Sequence, residues 1–413
     1  MMKIKRILCL ALAVAMLAGT ACLATSCNDN AAGGVTRLYV YNWGEYISDG
    51  SEGTLDSNLA FEEWYYETYG ERVEVVYSTF SSNEDMYAKL TSGSVNYDVV
   101  GPSDYMIERL IEEDWLLPLN YDNIPNIENI IPEFYGENAT YDEYDKGNVY
   151  SVPYFYGMIG IIYNTNVVDA EDTGSWELMW NPEYKGNILQ FNNSRDAFGT
   201  AQYYLGIDVN TDDETEWRLA LDKLREQKDI VQGYVMDEIF NKMENGSAAI
   251  SAYYAGDFLT MYENNPDLEF FYPEEGTNLY VDAMCVPKTS RNPEIAERYI
   301  NFMLSEEPAV ANAEYTYYAS PNRLVMENEE YIEYMSEIME DAYEKMYALD
   351  RVKATSYKNL SPEKLALIND LWEELKSDIE VSPTIYILCA VIIGALISIG
   401  LFLGIRKKVR NNY

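Results

Sequence analysis

Between Arg37 and Leu117 the apolar residues switch repeatedly from a period of two to a period of three or four. This alternation narrows the possible folds more than any other feature of the chain. "RLYVYN" is a short apolar strand. Phe61, Trp64, Tyr65 and Thr68 follow at i, i+3, i+4 and i+7, on one face of a helix that Gly70 closes. "RVEVVY" alternates as a strand does, and "NEDMYAKL" reads as the next helix. "YDVVG" is a third strand, with Pro102-Ser103 opening a further helix. Strand-helix-strand order predicts a parallel sheet covered by helices, an α/β fold.

An Asn-, Pro- and Tyr-rich stretch, residues 118–147, ends this block. A second block begins at "NVYSVPYFYGMIGIIYN". It continues with the strand "GNILQF", the helix "TEWRLALDKLREQ", the buried strand and helix of "AAISAYYAGDF", and the strand "LYVDAMCVP". "NPEIAERYINFML" starts a helix with Asn292 as cap and Pro293 in its first turn. The last globular helix is capped by Ser361-Pro362 and carries Leu365, Ile368, Trp372 and Leu375 on one face. At 413 residues the chain exceeds one compact core, which predicts two domains.

The two ends are set apart by composition. Residues 1–27 read as a secretion signal: Lys3, Lys5 and Arg6, then the apolar run from Ile7 to Ala18, then small residues before Cys27. "LATSC" resembles a lipoprotein cleavage box in which Cys27 takes the lipid, with Cys22 as a rival. Residues 385–405 carry no charge and would span about 31 Å as a helix, enough for a bilayer core. Arg406, Lys407, Lys408 and Arg410 follow, so a transmembrane helix there would leave the basic tail 406–413 in the cytoplasm. Everything between the ends is then extracytoplasmic and membrane-anchored.

Of 29 Lys and Arg, three lie in the signal and four in the tail, leaving 22 against 69 acids, a balance of −47. Such a surface repels nucleic acid and attracts cations. The chain has no histidine, which removes Ser-His and Cys-His catalysis and every His-ligated metal site. Cys285 is the only cysteine of the globular part, so no disulfide forms within it. No cofactor or metal is implied.

"NWGEY", "GPSDY", "YYAGD" and "LYVDAM" sit at or near strand ends or in strands, and each mixes aromatic with acidic residues. In open α/β sheets, ligands bind at the carboxyl ends of the strands. An aliphatic polyamine asks for this mixture: carboxylates for its ammonium groups and flat rings along its stem. Charged hydrogen bonds contribute roughly 1.5–3 kcal/mol each and a cation over a ring about 0.5–2. Two anchored ends and two or three walls could reach about −8 kcal/mol after ordering costs, a micromolar constant. Trp43, Tyr46, Tyr254, Tyr280 and Tyr318 could supply walls; Glu45, Asp196, Asp257 and Asp282 could supply the ends. Among 38 tyrosines and 69 acids, chance neighbours are common, so counting such pairs decides nothing.

From about residue 36 to 376 the chain resembles the spermidine/putrescine-binding proteins of bacterial polyamine ABC importers, of the periplasmic-binding-protein type II family. The motifs are "YNWGEYI", "VVYSTFSSNEDMYAKL", "YDVVGPSDYMIERL", "VPYFYGMIGIIYN", "SWELMWNPEYKGNILQFNNSRDAFG", "LYVDAMCVPK" and "YYASPN", in that order. The resemblance implies two α/β domains joined by crossing strands, residues 36–147 with 277–322 and 148–276 with 323–376, with a ligand cleft between them. It also implies an ABC permease and its ATPase as partners, and a monomer.

Carried over by position, Trp43, Glu45 and Tyr46 form the first contact loop, and Ser103 and Tyr105 the second. Asp196 stands where the spermidine type has a glutamate, and Asn193 replaces an aspartate. Tyr254 and Tyr280 replace two tryptophans. Asp282 matches the principal acid, Asp257 resembles putrescine-preferring relatives, and Tyr318 matches directly. Asp104 is an extra acid without an assigned role. These departures leave the choice between spermidine and putrescine open. Other readings are the same fold holding ferric ion through Tyr253-Tyr254 and Tyr317-Tyr318, a membrane-tethered polyamine sensor, and a glycoside hydrolase using paired carboxylates.

Overall fold

The computed structural model describes residues 34–136 and 139–377. The signal 1–27, Cys22 and Cys27, the span 385–405 and the tail 406–413 lie outside them. Among the described residues no helix is long and apolar enough to cross a membrane.

Among the described residues ten strands form the sheet: β1 Thr36–Trp43, β2 Val73–Phe80, β3 Val99–Val100, β4 Ser151–Asn164, β5 Ile188–Phe191, β6 Val231–Val235, β7 Ile250–Tyr254, β8 Leu268–Phe271, β9 Thr277–Cys285 and β10 Ala354–Ser356. They run in the order β2-β1-β3-β9-β4-β7-β5-β6, with β10 on β9 and β8 on β4. In the first half β1 pairs in parallel with β2 and β3; in the second, β5 pairs in parallel with β6 and β7. The expected parallel sheet is thus present in both halves, but the whole is mixed. The long strand β4 lies antiparallel to β9 from Ser151 to Met158, and from Ile159 onward antiparallel to β7 and β8. One continuous strand therefore belongs to both halves. A strand that returns across the molecule must oppose its neighbours, which helix-linked parallel strands do not.

Local chemistry explains the elements on which the cleft depends. The helix Ser57–Tyr69 starts where Asp56 accepts the Leu59 N–H and stops at Gly70, φ 72°, a left-handed cap that a side chain resists. It buries Phe61 and Tyr65. Pro293 opens the helix Pro293–Met303, as its position predicts. The side chain of Asn292 makes no cap there and donates instead to the Arg37 carbonyl at 3.1 Å. The closing helix Pro362–Ser377 buries Ile368, Leu371 and Leu375, with Leu365 and Trp372 partly covered. Every residue of β9 is buried, as are twelve consecutive residues of β4, so both crossing strands run through the interior. Buried on both faces, they read as near-continuous apolar runs.

Candidate functional site

Three functional loops leave the carboxyl ends of parallel strands and turn directly into helices. After β3, Ser103 precedes the helix Asp104–Glu112 without a side-chain cap; after β5, Asn193 caps Ser194–Leu205; after β7, Tyr254 precedes Ala255–Asn264. Asp104, Asp196 and Asp257 each fall in the first turn of their helix, where the helix dipole favours a carboxylate. Asn193 and Asp196 satisfy each other: Asn193 Oδ1 accepts the Asp196 N–H, and Asn193 Nδ2 donates to Asp196 Oδ2, both at 2.8 Å. A fourth element crosses between them. Along β9, Asn278, Tyr280 and Asp282 recur at every second residue, which sends all three to one face.

The fifth contribution is the loop after β1. Trp43 ends the strand and tilts over Phe80, ring centres 4.5 Å apart. Glu45 adopts φ 49°, a left-handed conformation costly for a residue with a Cβ, so the loop holds its shape against local preference. Glu45 stays exposed while Tyr46 turns inward and donates its hydroxyl to Asp282 Oδ2.

These loops enclose a cleft of about 860 Å³, open mouth included. All twelve residues singled out in the sequence line it: Trp43, Glu45, Tyr46, Ser103, Tyr105, Asn193, Asp196, Tyr254, Asp257, Tyr280, Asp282 and Tyr318. Asp104 lines it too. Sequence reasoning passed over Glu84, Asp237, Phe240 and Tyr357. Glu84 had a faint signal, an acid in the first turn of the "NEDMYAKL" helix. Tyr357 had none, since it follows a three-residue strand placed only by its pairing with β9.

The cleft gathers seven carboxylates, Glu45, Glu84, Asp104, Asp196, Asp237, Asp257 and Asp282, and among the described residues no lysine or arginine lines it. The buried guanidinium nearest to Asp196 is Arg195. It lies over the Tyr357 ring, 4.3 Å from the ring centre, and donates to the Val209 carbonyl and Asn210 Oδ1. Tyrosines face the acids. Tyr254 donates to Asp196 at 2.7 Å, Tyr318 to Asp257 at 2.9 Å, and Tyr105 to Glu84 at 3.0 Å. Two glycines let the walls approach: a Cβ on Gly157 would overlap the Tyr280 hydroxyl, and one on Gly256 the Tyr318 ring.

Burial without counter-charge shows in the acidities. Asp282 is pushed up to about 6 by desolvation, although Ser103 and Tyr46 pull it down. Asp257 is raised to about 7, first by desolvation and then by Asp237 and Glu45, against the Tyr318 hydrogen bond. Desolvation also raises Asp196 and lifts Asp104 well above the carboxylate range. A cation in the cleft would reverse these shifts.

Of the tyrosine pairs proposed for ferric ion, Tyr253 and Tyr254 both line the cleft, but Tyr317 and Tyr318 are split by the fold. Tyr317 directs its hydroxyl to Glu263 and Tyr334, away from the cleft, while Tyr318 faces in. Among the described residues no group of three or more acids or cysteines is arranged to hold a metal.

Residues 60–336 match the family of bacterial extracellular solute-binding proteins. Spermidine/putrescine-binding periplasmic protein 1 of Haemophilus influenzae is 31% identical over 296 residues, covering 69% of this chain and 78% of that protein. A solved structure described as a spermidine/putrescine ABC transporter from Listeria monocytogenes superposes with a TM-score of 0.71 at 33% identity, over 83% of this chain and 99% of that one. The spermidine/putrescine ABC transporter substrate-binding protein of Streptococcus pneumoniae gives 0.64 and 34%, over 83% and 98%. These relatives share the α/β binding-protein fold and place the chain outside the cytoplasm. Their family binds solutes and does not transform them, which sets the hydrolase reading aside. By fold and by sequence, the chain belongs to the bacterial extracellular solute-binding proteins.

Proposed function

We propose that this protein captures a polyamine, spermidine or putrescine, in the cleft and delivers it to an ABC importer. One observation carries the reading: among the described residues, seven carboxylates and ten aromatic side chains line one cleft with no lysine or arginine beside them. An alkyl chain bearing ammonium groups supplies what such a cleft lacks. Its methylenes lie against rings, and its charges meet acids that are costly to ionise alone. The relatives named for spermidine and putrescine support the same ligand class.

Within this proposal the twelve residues divide by chemistry. Asp282, Asp196, Asp257 and Glu45 receive ammonium groups; Trp43, Tyr46, Tyr105, Tyr254, Tyr280 and Tyr318 flank the stem; Ser103 and Asn193 orient acids. The halves 36–147 with 277–322 and 148–276 with 323–376 act as two domains that close on the ligand by a hinge motion. The closed form presents the receptor, as a monomer, to a permease and its ATPase. A helix at 385–405, with or without a lipid on Cys27, tethers it beside that permease.

Titration calorimetry of the purified protein with spermidine, putrescine and ferric citrate tests the reading. The expected result is micromolar or tighter binding of a polyamine and none of ferric ion, with Asp282→Asn weakening the polyamine. Folded protein that takes up neither amine would refute it.

A further inference from the structure

Asp104 is a buried carboxylate of the cleft to which the division of labour above gives no part. Ser103 pairs with Asp282 in an antiparallel bridge, and the Ala283 N–H donates to the Pro102 carbonyl at 3.1 Å. Residues 102 and 103 thus lie along β9, and Asp104, the next residue and the first of its helix, falls within reach of the charge of Asp282. The two side chains are 2% and 5% exposed. Asp104 Oδ1 accepts the Tyr105 N–H at 2.7 Å and Asp282 Oδ2 accepts the Tyr46 hydroxyl. The other oxygen of each, Asp104 Oδ2 and Asp282 Oδ1, is buried without a hydrogen-bond partner.

We propose that Asp104 and Asp282 form one subsite that exchanges a proton for a ligand ammonium group, with Asp104 carrying that proton while the cleft is empty. This rests on the polyamine reading and adds to it a residue and a linkage. The groups facing the pair from the packed elements are Tyr46, Tyr105, Tyr144, Tyr280, Ser356 and Asp196, and none is basic. Two adjacent buried carboxylates cannot both ionise cheaply without a cation. Burial first, and with it the charge of Asp282, raise Asp104 well above an ordinary aspartate, against the Tyr105 N–H that pulls it down. An ammonium with at least two N–H bonds can donate one to each free oxygen. Its positive charge takes the place of the proton: the Asp104 O–H bond breaks, the proton leaves to solvent, and no other bond changes. A quaternary ammonium, having no N–H, cannot make the exchange.

The test is calorimetric titration of spermidine into wild-type protein and D104N between pH 6 and 8. The slope of log affinity against pH equals the number of protons released on binding. The wild-type slope is expected to exceed that of D104N by about one, so that wild type gains about tenfold per pH unit over the variant. D104N that melts like wild type and shows the same slope overturns the proposal. If D104N does not fold, D104S serves the same comparison. A wild-type slope of zero overturns it without any variant. Wild type that binds no polyamine at any pH defeats the function proposed above, and this exchange with it, before a variant is made.

Discussion

Asp98 and Asp282 are both buried aspartates, 1% and 5% exposed, yet the fold treats them in opposite ways. Asp98 Oδ1 accepts the N–H groups of Arg291 and Asn292 and the Ser290 hydroxyl, while Oδ2 accepts the Tyr39 N–H. It ties β1 to the loop before Pro293–Met303. Asp145 is similar, with the N–H groups of Val149 and Tyr150 and the Ser151 hydroxyl on its oxygens. Asp282 is left half-satisfied, and so is Asp104 beside it. Asp282 accepts a side-chain hydroxyl and no backbone donor, and Asp104 accepts only the Tyr105 N–H. What separates a scaffold acid from a cleft acid is the partner each lacks in the folded chain, and the acid count says nothing of it.

That contrast breaks first at Asp98. Asp98→Ala strands three backbone donors in the interior and should cost about 4 kcal/mol of stability. Urea denaturation measures this, and the surviving folded protein should bind polyamine as before. Asp282→Asn should do the reverse: polyamine affinity falls by about 3 kcal/mol, more than a hundredfold, while the melting temperature holds or rises. An Asp282→Asn protein that loses stability as Asp98→Ala does would erase the distinction.

Titration sharpens it. Asp282 at about 6 and Asp257 at about 7 lie above the roughly 3.9 of an unfolded aspartate. The empty folded protein therefore holds protons that the unfolded chain has released. Stability from these groups is highest below about pH 4, declines as pH rises toward 6 and 7, and is lost above them. Saturating spermidine should flatten that decline, since a bound cation lets both acids ionise. Thermal melts across pH with and without ligand measure it; identical slopes would count against a cationic ligand. The smallest effect is expected from Tyr254→Phe, which removes one hydrogen bond from Asp196 and leaves Asn193 in place. About 1 kcal/mol of affinity should go, with stability unchanged within error.

Much of the cleft was legible because its parts are local. A strand end followed by a helix start is written in five or six consecutive residues, as in "GPSDY" and "YYAGD", and alternation along "LYVDAM" places Tyr280 and Asp282 on one face. The helix Ser57–Tyr69 and its Gly70 stop were equally plain. The antiparallel course of β4 and β9 was not, because a pairing between residues more than a hundred positions apart leaves no period in either segment. Tyr357 was missed for the same reason, since only the pairing of the preceding strand with β9 places it.

By itself the sequence determined the alternating α/β pattern, the residue types at the strand ends and the acidic, histidine-free chemistry, since each is a property of neighbours along the chain. Only the tertiary structure decided which acids were left without partners. Asp98 and Asp282 carry the same side chain; long-range packing brought backbone donors to one and a second carboxylate to the other.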